Sequence, residues 1–184
     1  MAGMEHHGKS VAMGLSGGVD SAVAAWRLLQ DGWHVVGLTM SIWDGSVAMP
    51  DKGISGCFGP GEARDLDAAA AVARRLGIEH RVVRLAAEYR KTVLDYFREE
   101  YLAGRTPNPC VRCNQRMKFG FLLEAARSAG VEFDRFATGH YARVARNDAT
   151  GRWDLRRGAD RSKDQSYFLS RLTQKRVSPI IYNY

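Results

Sequence analysis

The chain lacks most of what marks a secreted, membrane-spanning or repeat protein. Its 184 residues hold only three cysteines, Cys57, Cys110 and Cys113. An odd number of cysteines argues against a structural disulfide framework. Three thiols also fall short of a four-cysteine zinc site unless another residue or chain supplies a ligand. No apolar run approaches the roughly 20 residues needed to span a bilayer, and Met1–Ser10 has no apolar core of the secretory kind. The expectation is a cytoplasmic protein with no membrane partner. No internal repeat is visible. Two familiar phosphate-binding signatures are missing too: there is no Gly-x-x-x-x-Gly-Lys-Ser/Thr and no Gly-x-Gly-x-x-Gly.

What is present reads as a globular domain. Hydrophobic residues make up 45% and charged residues 26%, ordinary proportions for a chain that buries a core. The net charge is +7, from 27 Lys and Arg against 20 Asp and Glu, a balance that suits a polyanionic partner. Arg105, Arg112, Arg116 and Lys118 surround the cysteine pair. Arg143, Arg146, Arg152, Arg156, Arg157, Arg161 and Lys163 lie in the last third. A solvated basic face is the plainer alternative, but both groups flank segments with chemical signals of their own.

Periodicity predicts a β–α unit over Ser10–Gln30 and a strand over His34–Trp43. Asp44–Gly61 contains five glycines and two prolines and reads as a loop carrying Cys57. An Ala-rich helix is predicted over Glu62–Leu76, stopped by Gly77, then a strand over Glu79–Leu85. Glu88–Ala103 reads as an amphipathic helix with Val93, Leu94, Phe97 and Leu102 facing inward. A loop over Gly104–Cys113, a helix over Gln115–Ala129 and a strand over Phe133–Thr138 come next. Tyr141–Ala145 and Arg152–Arg156 read as a hairpin across residues 147–151, and Ser166–Leu172 as either a strand or a short helix. Alternating strands and helices imply an α/β fold, a doubly wound parallel sheet. Ligands in such sheets sit at the carboxyl ends of the strands, near the switch point.

Two segments carry chemistry. Gly14-Leu15-Ser16-Gly17-Gly18-Val19-Asp20-Ser21 lies between a strand and a helix, where backbone N–H groups and the positive helix end face an anion. The glycines allow a tight turn and close backbone approach. An ordinary helix-capping turn, with Asp20 or Ser21 as cap, is the alternative. Ser16–Ser21 resembles the pyrophosphate loop (PP-loop) of ATP pyrophosphatases. The second segment is Arg105-Thr106-Pro107-Asn108-Pro109-Cys110-Val111-Arg112-Cys113-Asn114. A cysteine just before a helix, among Arg112, Arg116 and Lys118, is expected to have a lowered pKa and more thiolate. A zinc knuckle would need a second ligand pair, and a thioredoxin-like pair would need a different fold.

These segments occur in order with Gly37–Met40, Lys118-Phe119, Ala137-Thr138-Gly139-His140-Tyr141 and Lys163-Asp164-Gln165-Ser166-Tyr167-Phe168-Leu169. Together they resemble the N-terminal catalytic domain of the tRNA-specific 2-thiouridylases (tRNA-uridine 2-sulfurtransferases). The resemblance implies an adenine-nucleotide alpha hydrolase-like fold, with a tail at 1–9, a catalytic domain at 10–172 and a divergent tail at 173–184. The family's further C-terminal tRNA-binding domains and its second catalytic cysteine have no counterpart in the sequence. The implied activity is ATP-dependent 2-thiolation of the wobble uridine of tRNA, by adenylation of the 2-oxo group and sulfur transfer from a cysteine persulfide.

The resemblance places ATP on Gly14, Leu15, Ser16, Gly17, Gly18, Val19, Asp20, Ser21, Met40 and Gly139, with Asp20 placing Mg²⁺. It places the target base against Asn108, Pro109 and Cys110, the nucleophile at Cys113, and tRNA against Lys163, Asp164 and Gln165. Many members carry Asp at the position of Cys110, so the Cys-x-x-Cys pair is a departure. Cys57, Cys110 and Cys113 are candidate ligands of a [4Fe–4S] cluster, against the simpler reading of Cys113 as persulfide acceptor. The sulfur donor is a persulfide-carrying protein or sulfide. Two other readings stay open: a different base thiolation or amidation of the same loop chemistry, and an ATP- and RNA-binding module without full turnover.

Overall fold

Val11, Ala12 and Met13 are wholly buried, which a strand achieves only when both of its faces are covered. They form β1 (Ser10–Gly14), the centre of a five-stranded parallel sheet ordered β3-β2-β1-β4-β7. The structure is a computed structural model and describes residues 9–51, 57–177 and 180–181. β2 (His34–Ser41) pairs along one side of β1, with Ser10 opposite His34 and Gly14 opposite Leu38. β4 (Arg135–Thr138) pairs along the other, with Val11 opposite Arg135 and Gly14 opposite Thr138. β3 (Glu79–Arg84) and the two-residue β7 (Ile180–Ile181) are the outer strands.

Strand periodicity sends alternate residues of β1 to opposite faces. Val11 and Met13 pack with Ala24, Ala25 and Leu28 of α1 (Val19–Gln30) and with Ala69 and Ala73 of α2 (Glu62–Leu76). Ala12 packs on the opposite face with Leu38, Val93, Met117, Phe119 and Phe136. That second face is closed by a helical run of α3 (Ala86–Tyr89), a π-helical stretch (Arg90–Leu94) and α4 (Asp95–Leu102). A second run covers it as well: α5 (Pro109–Cys113), another π-helical stretch (Asn114–Phe121) and α6 (Leu122–Ser128). The doubly wound α/β architecture expected from the sequence is the one observed.

Several boundaries move, for physical reasons. The expected loop 104–113 ends at Asn108, whose side chain accepts the Val111 N–H at 3.0 Å and caps a helix with Pro109 at its first position. The predicted helix over 88–103 begins at Ala86, and its inward face is misread. Val93 is buried, but Phe97 is 39% and Leu102 77% exposed. A π turn inserts residues relative to α-helical spacing, and each insertion rotates the remainder of the helix by about 100°. Phe97 instead packs edge-on against Tyr101, centroids 4.8 Å apart.

Beyond β4 the chain forms an antiparallel hairpin, β5 (Ala142–Asn147) with β6 (Arg152–Arg157). Asn147 Oδ1 accepts the N–H groups of Ala149 (3.1 Å) and Thr150 (3.2 Å) in its turn. Of the two forms left open for Ser166–Leu172, the structure takes the helical one, a 3₁₀ turn over Ser166–Leu169 that buries Leu169. The sheet takes in chain beyond residue 172. α7 (Gln174–Val177) precedes β7, whose Ile180 pairs with Phe136. The expected N-terminal tail, apart from Lys9, lies outside the described residues, as do 178–179 and 182–184 of the expected C-terminal tail.

One contact between glycine and backbone sets the position of the loops above the sheet. A Cβ on Gly139 would stand 2.7 Å from Ser21 N and 2.9 Å from the Asp20 carbonyl carbon, both backbone atoms that cannot swing aside. Gly139→Ala is therefore expected to destabilise the fold by about 1–3 kcal/mol through overpacking. Denaturant titration should read this as a lower midpoint with an unchanged slope.

Candidate functional site

The sheet reverses its winding between β1 and β4, and the loops leaving the carboxyl ends of both strands meet there, where folds of this kind form their ligand crevice. The loop leaving β1 is pressed against α2: a Cβ on Gly17 would lie 2.7 Å from Ala68 Cβ and 3.0 Å from Ala69 N. Gly17 also has φ +80°, a conformation that favours glycine. Gly18 is different. Its φ is −80°, and a Cβ there would meet only Ser16 Oγ, at 3.4 Å. The conformational demand expected of both glycines thus rests on Gly17 alone.

Ser21, itself buried, ties the turn together. Its hydroxyl donates to Gly18 O at 3.0 Å, accepts Ser16 N–H at 3.3 Å and lies 3.2 Å from Ser16 Oγ. Gly18 at the N-cap brings no side chain to the first turn of α1, so no side chain caps its N–H groups. These donors and the helix dipole make that end attractive to an anion. Asp20 is exposed beside it, with Oδ1 accepting the Tyr141 hydroxyl at 3.1 Å. Val19 is exposed at the start of the helix.

Not every residue of the loop faces the crevice. Leu15 is buried, its N–H donating to Leu38 O at 2.9 Å and its carbonyl accepting Thr39 Oγ1 at 2.9 Å. It is a core residue whose side chain fills the space above Gly37, where a Cβ would fall 2.5 Å from Leu15 Cδ1. Met40 lies two residues past the Gly14–Leu38 pair, at the end of β2, and packs against the second core.

A buried carboxylate that sequence reading missed holds this end of β2. Glu62 Oε1 accepts the N–H groups of Ile42 (2.6 Å) and Trp43 (2.8 Å), and Oε2 accepts Ser41 Oγ at 2.8 Å. Its only sequence signal is an acid in the first turn of a helix, and that says nothing of a strand 20 residues earlier.

The cysteine segment does not match its expected electrostatics. Cys110 is exposed, but Cys113, last residue of α5, is buried against the second core. Burial pushes its thiol up to about 11, Lys118 offsets this in part, and Cys57 and Cys110 add to the rise. The expected lowering fails because desolvation of a buried thiolate outweighs one nearby cation. Tyr89 is likewise raised, by burial first and then by Cys113, Cys57 and Cys110. Phe58 stacks on Tyr89 with centroids 5.2 Å apart, bringing the Cys57 segment to it. Among the described residues, however, no group of three His, Cys, Asp or Glu side chains is arranged to hold a metal ion. The donor set expected for a [4Fe–4S] cluster therefore does not fit in this arrangement, with one thiol buried and two exposed.

Asn108 spends Oδ1 on its helix cap and reaches Tyr167 Oη with Nδ2 at 3.4 Å. Asp164 and Gln165 are both engaged in local structure. Asp164 Oδ1 accepts the N–H groups of Gly158 (2.8 Å) and Ser166 (3.2 Å), while Gln165 Oε1 accepts the Tyr141 N–H at 3.0 Å. Lys163 is exposed, its ammonium 5.3 Å from the Tyr141 ring centroid. At the end of β4, His140 Nδ1 lies 2.8 Å from Thr138 Oγ1; burial, and then Lys118, lower its pKa to about 3.

A parallel doubly wound domain with an anion-accepting glycine loop at its switch point is the class that fold and site define. The family described as "tRNA methyl transferase HUP domain" matches residues 9–183, and the chain belongs to it. Its relatives include the protein named tRNA-specific 2-thiouridylase MnmA in Endomicrobium trichonymphae, 48% identical over 94% of this chain and 48% of that one. The protein of the same name in Carboxydothermus hydrogenoformans is 48% identical over 90% of this chain and 44% of its own length. The counterpart in Xanthomonas campestris pv. campestris (strain B100) is 48% identical over 92% and 42%. The resemblance to 2-thiouridylases read from the motifs is borne out. The chain spans about half the length of these relatives.

Burial gives the site two pH-dependences. Alkylation of Cys113 in the folded protein should be slow at pH 8 and rise until about pH 11, where its thiolate forms. Mass spectrometry should find Cys110 modified before it. His140 stays neutral in the folded chain down to about pH 3, while its unfolded form takes a proton near 6.5. The unfolded state then binds the extra proton, so stability is full above that range and falls as pH drops through it. His140→Gln should flatten this part of the melting-temperature profile.

Proposed function

We propose that this chain carries the nucleotide- and base-handling part of an ATP-dependent tRNA 2-thiouridylase. One observation carries the reading: the glycine loop, the Cys110–Cys113 helix and the Lys163–Gln165 turn all belong to one domain about half of whose residues are shared with 2-thiouridylases. In this reading the backbone of Ser16–Ser21 and the uncapped first turn of α1 receive the phosphates of ATP. The residues suit that task, because Gly17 lets the loop turn tightly against α2 and Asp20 offers an exposed carboxylate beside the first turn of α1. Asp20 would hold Mg²⁺, which supplies charge neutralisation on the phosphates. Met40 and Gly139 flank the adenosine.

The substrate is the wobble uridine of a tRNA, held against Asn108, Pro109 and Cys110. Its 2-oxo oxygen attacks the α-phosphorus of ATP, and pyrophosphate leaves. The carbonyl oxygen thereby becomes part of AMP, a competent leaving group. The Cys113 thiolate attacks the outer sulfur of a persulfide on a donor protein, the donor's own thiolate leaves, and Cys113 then holds the transferred sulfur as a persulfide. Its terminal sulfur attacks C2 and AMP departs; Cys110 assists by attacking Cys113 Sγ, so that the sulfur–sulfur bond breaks and a disulfide remains. The burial that keeps Cys113 protonated also shields it from indiscriminate oxidation.

Nucleoside analysis by mass spectrometry, after incubation with tRNA, ATP, Mg²⁺ and a persulfide donor, tests the activity. The expected product is 2-thiouridine, and its absence with intact ATP and tRNA binding would point to a binding module. Asp20→Ala should lower tRNA-dependent pyrophosphate release by about 100-fold or more, on the scale of a lost charge-stabilising group. Its melting temperature should be unchanged, because Asp20 lies at the surface. Affinity for tRNA should fall steeply between about 50 and 200 mM salt through counterion release. Lys163→Glu should weaken it further and lower the magnitude of the logarithmic salt slope by about 1 or more.

A further inference from the structure

Tyr141 joins the two parts of the crevice. Its hydroxyl donates to Asp20 Oδ1 at 3.1 Å, across 121 positions of sequence. The Lys163 ammonium stands 5.3 Å from the centroid of the same ring. The Tyr141 backbone is clamped from the same turn, its N–H donating to Gln165 Oε1 at 3.0 Å and its carbonyl accepting the Gln165 N–H at 2.9 Å. The end of the hairpin closes in as well, since a Cβ on Gly158 would lie 3.0 Å from Tyr141 O. The Lys163–Gln165 turn therefore has one phenol between it and the glycine loop, bonded at its hydroxyl and covered at its ring, on a backbone that the same turn clamps.

A cation against an aromatic face and a hydrogen bond from its hydroxyl act on one conjugated group. The cation withdraws electron density from the ring, which makes the phenol a better donor. While Lys163 covers the ring, the hydroxyl therefore holds Asp20 Oδ1 firmly. A polyanion that draws the ammonium away relaxes that hold and leaves the carboxylate freer to meet a cation. The two states differ in contacts at both sites, which is what a coupling between them requires.

We propose that Tyr141 is a positioning residue that couples RNA engagement at Lys163 to binding of a cation–nucleotide pair at Asp20. The inference rests on the roles given above to Lys163 and Asp20, and it adds the direction: RNA favours the nucleotide, and the nucleotide favours RNA by the same factor.

Calorimetric titration of the whole chain tests it, with a magnesium complex of a non-hydrolysable ATP analogue and a tRNA anticodon stem-loop, each alone and in the presence of the other. In the wild type, saturating RNA is expected to lower the Kd of the nucleotide by about five-fold or more, the lower end of common allosteric couplings. Tyr141→Phe keeps the ring and its contact with Lys163 but removes the hydroxyl. It should bring that ratio to within about two-fold of unity and leave the Kd for RNA alone unchanged within about two-fold. Lys163→Met should abolish the ratio too and, unlike Tyr141→Phe, weaken RNA. Thermal melts confirm that both variants are folded. A ratio near unity in the wild type, or one preserved in Tyr141→Phe, overturns the coupling while leaving the functional reading in place. Failure of the wild type to bind either ligand overturns that reading and the coupling with it.

Discussion

The architecture depends on backbones meeting without side chains between them at the switch point. Gly139 touches the first turn of α1, and Gly17 touches Ala68 and Ala69 of α2; at neither contact is there space for a methyl group. The small residues of α2 and the glycines of the two loops are therefore one solution to one packing problem. Because the walls are backbone, the polar groups they present are N–H donors fixed by the fold. Donors fixed in advance cost little reorganisation when an anion arrives.

Burial divides the ionisable groups around this crevice into two kinds. Cys113 and His140 lie in low-dielectric surroundings and are held neutral, one pushed up to about 11 and the other down to about 3. Asp20 and Lys163 are exposed, where a solvated ligand can meet them. Lys118 acts on both buried groups in opposite senses: it favours the Cys113 thiolate and disfavours the His140 imidazolium. In each case burial is the larger effect. The fold thus separates a shielded thiol from exposed charges beside the glycine loop.

The turn after the hairpin is tied to the glycine loop through Tyr141. Asp164 and Gln165 carry polar side chains that read as ligands in a linear sequence, yet both are absorbed in joining the turn to its neighbours. Their contribution is to fix where Lys163 and Tyr141 stand. Glu62 does the same at the end of β2, gathering two backbone N–H groups and a hydroxyl from the strand. In both places a charged or amide side chain shapes the site by satisfying buried or turning backbone, which is costly to leave unpaired.

The sequence by itself determined the parallel α/β class, the placement of the glycine loop between β1 and α1, and the family. Hydrophobic periodicity and glycine turns are local properties, so they survive in a linear reading. It also determined that Asn108 and Pro109 sit together, although their meaning as a helix start became plain only in three dimensions. Tertiary structure alone decided that Leu15 is core, that Phe97 and Leu102 face outward past a π turn, and that Cys113 is buried. It alone brought Tyr141 to Asp20 and Glu62 to the end of β2. The physical reason is common to all of these. Burial and through-space contact depend on which distant segments the sheet brings together, and desolvation, once set by that packing, outweighs the charges that lie nearby in sequence.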